Sequence, residues 1–176
     1  MTALREFLMK TTYFEACTDA ELDEFVPQLR LQKLKAGEEL FLQADQESVW
    51  YLVCTGRIEI QRLSRPEFPH TLAELEAGEA FGEMSMLERI PRMASAIAIV
   101  DSELLCLDGS RFHELLDAGN LTAVKLLKAM AITQSRRLRE ITLTLQDLTD
   151  AEVFDEWESP TPFDMNQFLF TSILSN

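Results

Sequence analysis

Apolar residues change their spacing twice along this chain, and each change predicts a change in the kind of element. Residues 1–30 read as helical. Leu22, Phe25, Val26 and Leu29 recur at intervals of three and four, behind a Thr18–Glu21 pair spaced as a capping box. Pro27 falls inside that run, so the helix is kinked or short. From residue 31 the period falls to two. LRLQKLKAGEELFLQ turns at Ala36-Gly37, and VWYLVCTGRIEIQRL turns at Thr55-Gly56, with Ile58 and Ile60 alternating with Glu59 and Gln61. SRPEFPH, with two prolines, reads as a loop; TLAEL, MASAIAIV and ELLCL are further short strands. Short strands at close intervals predict a sandwich or a barrel. Helical spacing returns near Ser110, breaks at Gly119-Asn120, and resumes from Leu121 to Leu148. There Leu127, Ala131, Gln134, Leu138, Ile141, Leu145 and Leu148 fall on one seam. This helix packs on its own domain, pairs with a second copy, or does both.

The stretch FGEMSMLERIPRMASA, residues 81–96, fits neither a plain hairpin nor a packed helix. Gly82 has no side chain, so the backbone there can approach a ligand closely. Residues 83–88 read as one short helical turn, whose leading amides and positive dipole end favour an anion. Arg92 adds a permanently charged planar fork that matches phosphate oxygens. Glu83 repels phosphate but accepts from a sugar hydroxyl beside it. Each residue also has a plain explanation: the helix dipole favours Glu83 without any ligand, and Arg92 is satisfied by solvent or by pairing with Glu83.

Composition narrows the functional classes. The chain has 176 residues, 47% hydrophobic and 26% charged, ordinary for one globular domain with a short appendage. Its net charge of −14 opposes a nucleic-acid binder, which needs a basic face. No apolar run has the length to span a bilayer, and the N-terminus lacks the pattern of a secretory signal. Cys17, Cys54 and Cys106 are widely spaced among apolar neighbours and read as buried reduced thiols, which makes the expected location cytoplasmic. The histidines, His70 and His113, are too few and too scattered for a metal-dependent barrel enzyme. No nucleophile has a base and an orienting group beside it in sequence. Neither a metal nor an enzyme activity is expected. The final stretch, 149–176, carries six acidic residues and no basic ones, yet ends in Phe163, Met165, Phe168, Leu169, Phe170, Ile173 and Leu174. Such a tail buries its apolar groups on its own domain or in a partner's groove.

Residues 81–96 resemble the phosphate-binding cassette of the cyclic nucleotide-binding domain family, shared by catabolite-type regulators and the regulatory subunits of cyclic-AMP-dependent kinase. The resemblance extends through TDAELDEFVPQL, KAGEELFLQADQESVWYLVCTGRIEIQRL and LAELEAGEAFGEMSML to SRRLREITLTLQDL, roughly residues 12–148. It implies an α+β fold: a small antiparallel β-barrel (a double-stranded β-helix, or jelly roll) flanked by N-terminal helices and a long C-terminal helix. The domain then spans 1–148, with helices over 5–30, the β-roll over 30–109 and C-terminal helices over 110–148, followed by the tail 149–176. The ligand site implied is Phe81, Gly82, Glu83, Met84 and Ser85 with Arg92, Met93 and Ala94. In it Glu83 meets the ribose 2′-hydroxyl, and Arg92 with the backbone of 83–85 meets the cyclic phosphate. Arg137 and Thr142 are implied to approach the base. Met93 stands where many members carry alanine, serine or threonine; its lack of a hydroxyl favours cAMP over cGMP. Ala44 replaces a glycine usual in its turn.

The expected function is therefore a cyclic nucleotide sensor without catalysis, acting through its last helix and tail on a protein partner. A homodimer through helix 121–148 is the other interaction expected. Two alternatives follow from the same residues: a structural adaptor that keeps the barrel without binding, and a fragment of a catabolite-regulator-type transcription factor. Residues 149–176 are too few and too acidic to form a helix-turn-helix domain, so no DNA partner is expected.

Overall fold

The computed structural model describes residues 2–65 and 68–152 and divides the chain into two compact units, Met1–Gln134 and Ser135–Asn176. The acidic, apolar-ended part of the tail, 153–176, lies outside the described residues, as do Pro66 and Glu67.

The N-terminal segment forms two short helices, α1 (Thr2–Met9) and α2 (Asp19–Phe25). Thr18 caps α2 as its sequence predicts. The Thr18 amide donates to Glu21 Oε2 (2.7 Å) and the Glu21 amide donates to Thr18 Oγ1 (3.4 Å), so each end satisfies the other's backbone donor. Helix α2 stops where Pro27 requires it: the chain tightens into a 3-10 turn over Val26–Gln28 and enters the first strand.

Eight strands follow: β1 (Arg30–Leu34), β2 (Glu39–Phe41), β3 (Val49–Thr55), β4 (Ile58–Arg65), β5 (Phe68–Leu75), β6 (Ala80–Phe81), β7 (Ser95–Ala98) and β8 (Ser102–Asp108). They pair antiparallel into two four-stranded sheets, ordered β1-β8-β3-β6 and β2-β7-β4-β5. The α+β roll expected from the sequence is present, as two facing sheets rather than a closed barrel. One part of the reading was wrong. Residues 64–65 and 68–70, expected within a loop, are strand, with Pro69 opposite Leu63. Proline is tolerated there because β5 is an edge strand, and its missing N–H removes no ladder bond from the sheet interior.

Strand β3 shows why its sequence is apolar at successive positions. Val49, Tyr51 and Val53 pack in the cluster between the sheets, with Phe41, Ile58, Phe81 and Leu104. Trp50 and Leu52, on the other face, pack with Phe14 from the turn between α1 and α2 and with Leu22, Phe25 and Phe112 from helices. A strand covered on both faces loses the polar alternation that half-exposed β4 keeps. Strand β8 is divided the same way, with Leu104 and Cys106 inward and Leu105 and Leu107 toward the helices.

Beyond the sheets lie α3 (Glu83–Glu88), between β6 and β7, α4 (Gly109–Asp117) and α5 (Leu121–Glu152). Asn120 caps α5 by accepting from the Ala123 amide (3.0 Å). The stripe of α5 that enters the core is Ala123, Leu126 and Met130, all buried. The expected seam is thus displaced: Leu127 is only half-buried and Ala131 is exposed, while Leu138, Ile141 and Leu145 are 66%, 58% and 58% exposed.

Candidate nucleotide-binding site

The cassette is built at the end of β6. Phe81 is buried between the sheets and stacks on Tyr51 at 5.2 Å between ring centroids, a contact set by the β3–β6 register that places these residues opposite each other. Gly82 then turns the chain into α3 with φ +85°. Two constraints require glycine here. The positive φ disfavours an L side chain, and a Cβ would lie 2.5 Å from the Val49 carbonyl oxygen and 2.8 Å from Arg92 Nη1. The hydrogen-bond ladder of α3 opens with the Met86 amide donating to the Gly82 carbonyl (3.3 Å), so the amides of residues 83–85 precede it.

Arg92 approaches this turn from beyond α3. The backbone holds it on both sides: its amide donates to the Asp45 carbonyl, and its carbonyl accepts from the Ala44 amide, each at 2.8 Å. The Ala44 turn that supplies these contacts has φ +73°, the left-handed region that the usual glycine occupies without strain. The Arg92 side chain is only 4% exposed. Its guanidinium carbon lies 4.0 Å from the centre of the Phe41 ring and 5.4 Å from that of Tyr51. Nη1 donates to Ser85 Oγ (2.7 Å) and weakly to the Gly82 carbonyl (3.5 Å). Nε and Nη2 are buried without a hydrogen-bond acceptor. Among the described residues no carboxylate forms an ion pair with this cation. Burial pulls the Arg92 pKa below its ordinary value, while Tyr51 and then Glu47 act against the shift. The same environment pushes the Tyr51 hydroxyl up to about 12.

Such an arrangement is unfavourable until something completes it. A charge removed from water without an opposite partner costs several kcal/mol, and two idle donors add to that cost. Nε and Nη2, the two remaining donors of the fork, match two oxygens of a single anion.

Glu83, the first residue of α3, is 7% exposed and accepts a hydrogen bond from Gln134 Nε2 on α5. Ser85 is buried, and its hydroxyl both donates to the Gly82 carbonyl (3.2 Å) and receives Arg92. Phe81, Gly82, Ser85 and Arg92 are therefore brought together as the sequence anticipates, with Glu83 adjoining. Met84 and Met93 are exposed, and Ala94 is half-buried. Arg137 and Thr142 belong to the second compact unit. There the Thr142 hydroxyl donates to the Leu138 carbonyl of its own helix (2.8 Å), the competing bond open to a mid-helix threonine. Phe41, Tyr51 and Gln134 were missed by sequence reasoning. The rings join Arg92 only through non-local strand pairing, and Gln134 had been counted with a different stripe of its helix.

Other polar groups have structural duties. His113 Nε2–H donates to the Met86 carbonyl (3.0 Å) and ties α4 to α3. It borders a cavity of about 510 Å³ that also reaches Ser48, Ser85, Arg89 and Asp117. That cavity mixes cations with acids, and none of its lining side chains is among the buried groups that lack an acceptor. Among the described residues, no cluster of His, Cys, Asp and Glu is placed to hold a metal, and no helix is long and apolar enough to cross a membrane.

Known proteins carry the same architecture. The chain matches the cyclic nucleotide-binding domain family over residues 31–118, which includes the whole cassette. It is 34% identical over 139 residues to the cyclic AMP receptor protein of Thermus thermophilus, covering 79% of this chain and 62% of that protein. Over 82 residues it is 29% identical to a cAMP-dependent protein kinase regulatory subunit of Dictyostelium discoideum, covering 47% of this chain and 25% of that one. The crystal structure of the Thermus thermophilus catabolite activator protein superposes with a TM-score of 0.70 at 32% identity, over 79% of this chain and 63% of that one. The chain thus spans less than two thirds of the length of these relatives. With its strand order, glycine turn and buried arginine all falling inside the matched region, this chain belongs to the cyclic nucleotide-binding domain family.

Proposed function

We propose that this chain is a cyclic nucleotide sensor whose preferred ligand is cAMP and whose output passes to a protein partner rather than to a reaction. In this reading Arg92 and the amides of residues 83–85 hold the cyclic phosphate, Glu83 accepts the ribose 2′-hydroxyl, and Phe81, Met84, Met93 and Ala94 border the ligand. Arg137 and Thr142 face its base. The observation that carries the reading is the state of Arg92: buried, permanently charged, and with Nε and Nη2 lacking acceptors. One cation beside one carboxylate suits a singly charged cyclic diester better than a doubly charged monoester. Met93 offers no hydroxyl to a guanine, which favours cAMP over cGMP.

Calorimetric titration with cAMP, cGMP and 5′-AMP tests this directly. The expected order of affinity is cAMP, then cGMP, then 5′-AMP, and Arg92→Ala should cost about 2–5 kcal/mol of cAMP binding, the effect of truncating a desolvated charge partner. Absence of heat with every cyclic nucleotide would leave the adaptor reading in its place.

A homodimer is favoured by a separate observation. Leu138, Ile141 and Leu145 stand exposed at spacings of three and four, the pattern of a seam between two helices. A second copy pairing along that stripe is the partner we assign to it.

A further inference from the structure

The methionines around the cassette divide sharply by exposure. Met86 on α3 and Met130 on α5 are 0% and 1% exposed, whereas Met84 and Met93 are 42% and 48% exposed. Met84 lies between Glu83 and Ser85, and Met93 directly follows Arg92. Each half-covered thioether therefore stands one residue from a buried charged side chain. Thioethers and thiols are the side chains that peroxides oxidise most readily. The thiols are poorly placed to compete. Cys17 and Cys106 are buried, and burial raises the pKa of all three cysteines, which holds back the reactive thiolate. With hydrogen peroxide, the thioether sulfur lone pair attacks one peroxide oxygen, the O–O bond breaks and an S–O bond forms. The proton of the transferred hydroxyl passes to the departing hydroxide, which leaves as water; sulfur is oxidised by two electrons and the peroxide reduced by two. An apolar side chain thereby gains a polar acceptor, and at Met93 it does so one residue from a guanidinium with two buried donors lacking acceptors.

We propose that Met84 and Met93 are a modification site: peroxide converts their thioethers to sulfoxides, and the sulfoxides weaken binding of the cyclic nucleotide. The oxygen gained beside Arg92 competes with the phosphate for its donors, and the apolar border of the ligand is lost. The proposal rests on the reading that the nucleotide binds against the cassette. It adds a reversible chemical control of that binding, because methionine sulfoxide reductases return the thioether at the expense of a thiol.

The test is calorimetry with cAMP on the full chain before and after hydrogen peroxide, with peptide mass spectrometry locating the added oxygen and thermal melting checking the fold. Met84 and Met93 should gain oxygen well before Met86 and Met130. Affinity should fall by about fivefold or more, the loss of one half-covered apolar side chain. Sulfoxide reductase with dithiothreitol should restore it; dithiothreitol alone, which reduces cysteine sulfenic acid and disulfides but not sulfoxides, should not. In the double variant Met84→Leu/Met93→Leu, which keeps Met9 and every other methionine, peroxide should move the affinity by less than about twofold from that variant's own starting value. The single variants, Met84→Leu and Met93→Leu, should each keep part of the loss, and they serve where the double variant does not fold. Sulfoxide at both positions with unchanged affinity would overturn the proposal, as would an equal loss in the double variant or oxidation of Met86 and Met130 at the same rate. An untreated chain without affinity for cAMP would instead remove the nucleotide reading, a failure seen before any peroxide is added.

Discussion

Replacing Arg92 with methionine should weaken cAMP binding by about 2–5 kcal/mol without destabilising the ligand-free fold. Methionine keeps an unbranched apolar stem over the Phe41 and Tyr51 rings, where the guanidinium now lies at 4.0 Å and 5.4 Å. The losses are the Nη1 bond to Ser85, about 1.5–3 kcal/mol for a charged donor, and the ring contact, about 0.5–2 kcal/mol. The gains come from removing Nε and Nη2, buried donors without acceptors, at about 1–3 kcal/mol each. Relief of an unpaired buried charge acts in the same direction. The two sides roughly cancel, so the ligand-free variant should match the parent or exceed it by up to about 2 kcal/mol, whereas truncating an ordinary large core residue costs about 2–5 kcal/mol. Thermal melts read the difference: for a chain of this length about 2–4 °C accompany each kcal/mol. The parent should gain about 2.7 kcal/mol of stability with cAMP at a hundred times its Kd, and the variant, at the same concentration, less than about 1 kcal/mol. A ligand-free variant destabilised by more than about 2 kcal/mol would show that the arginine is held for structure, and the reasoning from its idle donors would fail.

Other predictions concern the scaffold. Ala44→Gly should raise stability by about 0.5–1 kcal/mol in denaturant melts, because glycine relieves a left-handed residue at φ +73° and gives back only part of that gain in chain entropy. Glu21 receives both Lys125 Nζ contacts at 2.7 Å, and Lys125 first, then the Thr18 amide, hold its pKa down at about 2 against an ordinary 4.5. A depressed carboxylate stabilises the fold fully above its unfolded pKa, so this contribution should vanish as pH falls from about 4.5 toward 2. Glu21→Gln should flatten that limb of a denaturation-midpoint profile, and an unchanged limb would contradict the assignment. Ile141→Glu should convert a dimer to a monomer in light-scattering measurements if the 138–145 stripe joins two copies, while a dimer that survives the change places its interface elsewhere.

Local signals made much of this molecule readable. The Thr18 box, the short helix 83–88 and the turns at Gly37 and Gly56 each follow from a few adjacent residues, and all are present. The run VWYLV was legible as a strand from its β-branched and aromatic residues, but its burial on both faces shows only in the fold. What escaped depends on tertiary choice. Helix α5 carries two overlapping apolar stripes, one through Ala123, Leu126 and Met130 and one through Leu127, Ala131 and Leu138. Only packing against α2 and the β3 sheet decides that the first enters the core. The aromatic cradle of Arg92 requires Phe41 from one sheet and Tyr51 from the other, a juxtaposition invisible to spacing along the chain. Proline in β5 misled for a similar reason, because the sequence does not announce which strand is an edge.

A crystal structure of the chain grown with cAMP tests the central claim most directly. The account predicts one ligand per chain, with oxygens of its phosphate accepting from Arg92 Nε and Nη2 at about 2.7–2.9 Å, the distance of a charge-assisted bond. Nucleotide density elsewhere on the molecule, with those two donors still lacking an acceptor, would contradict it.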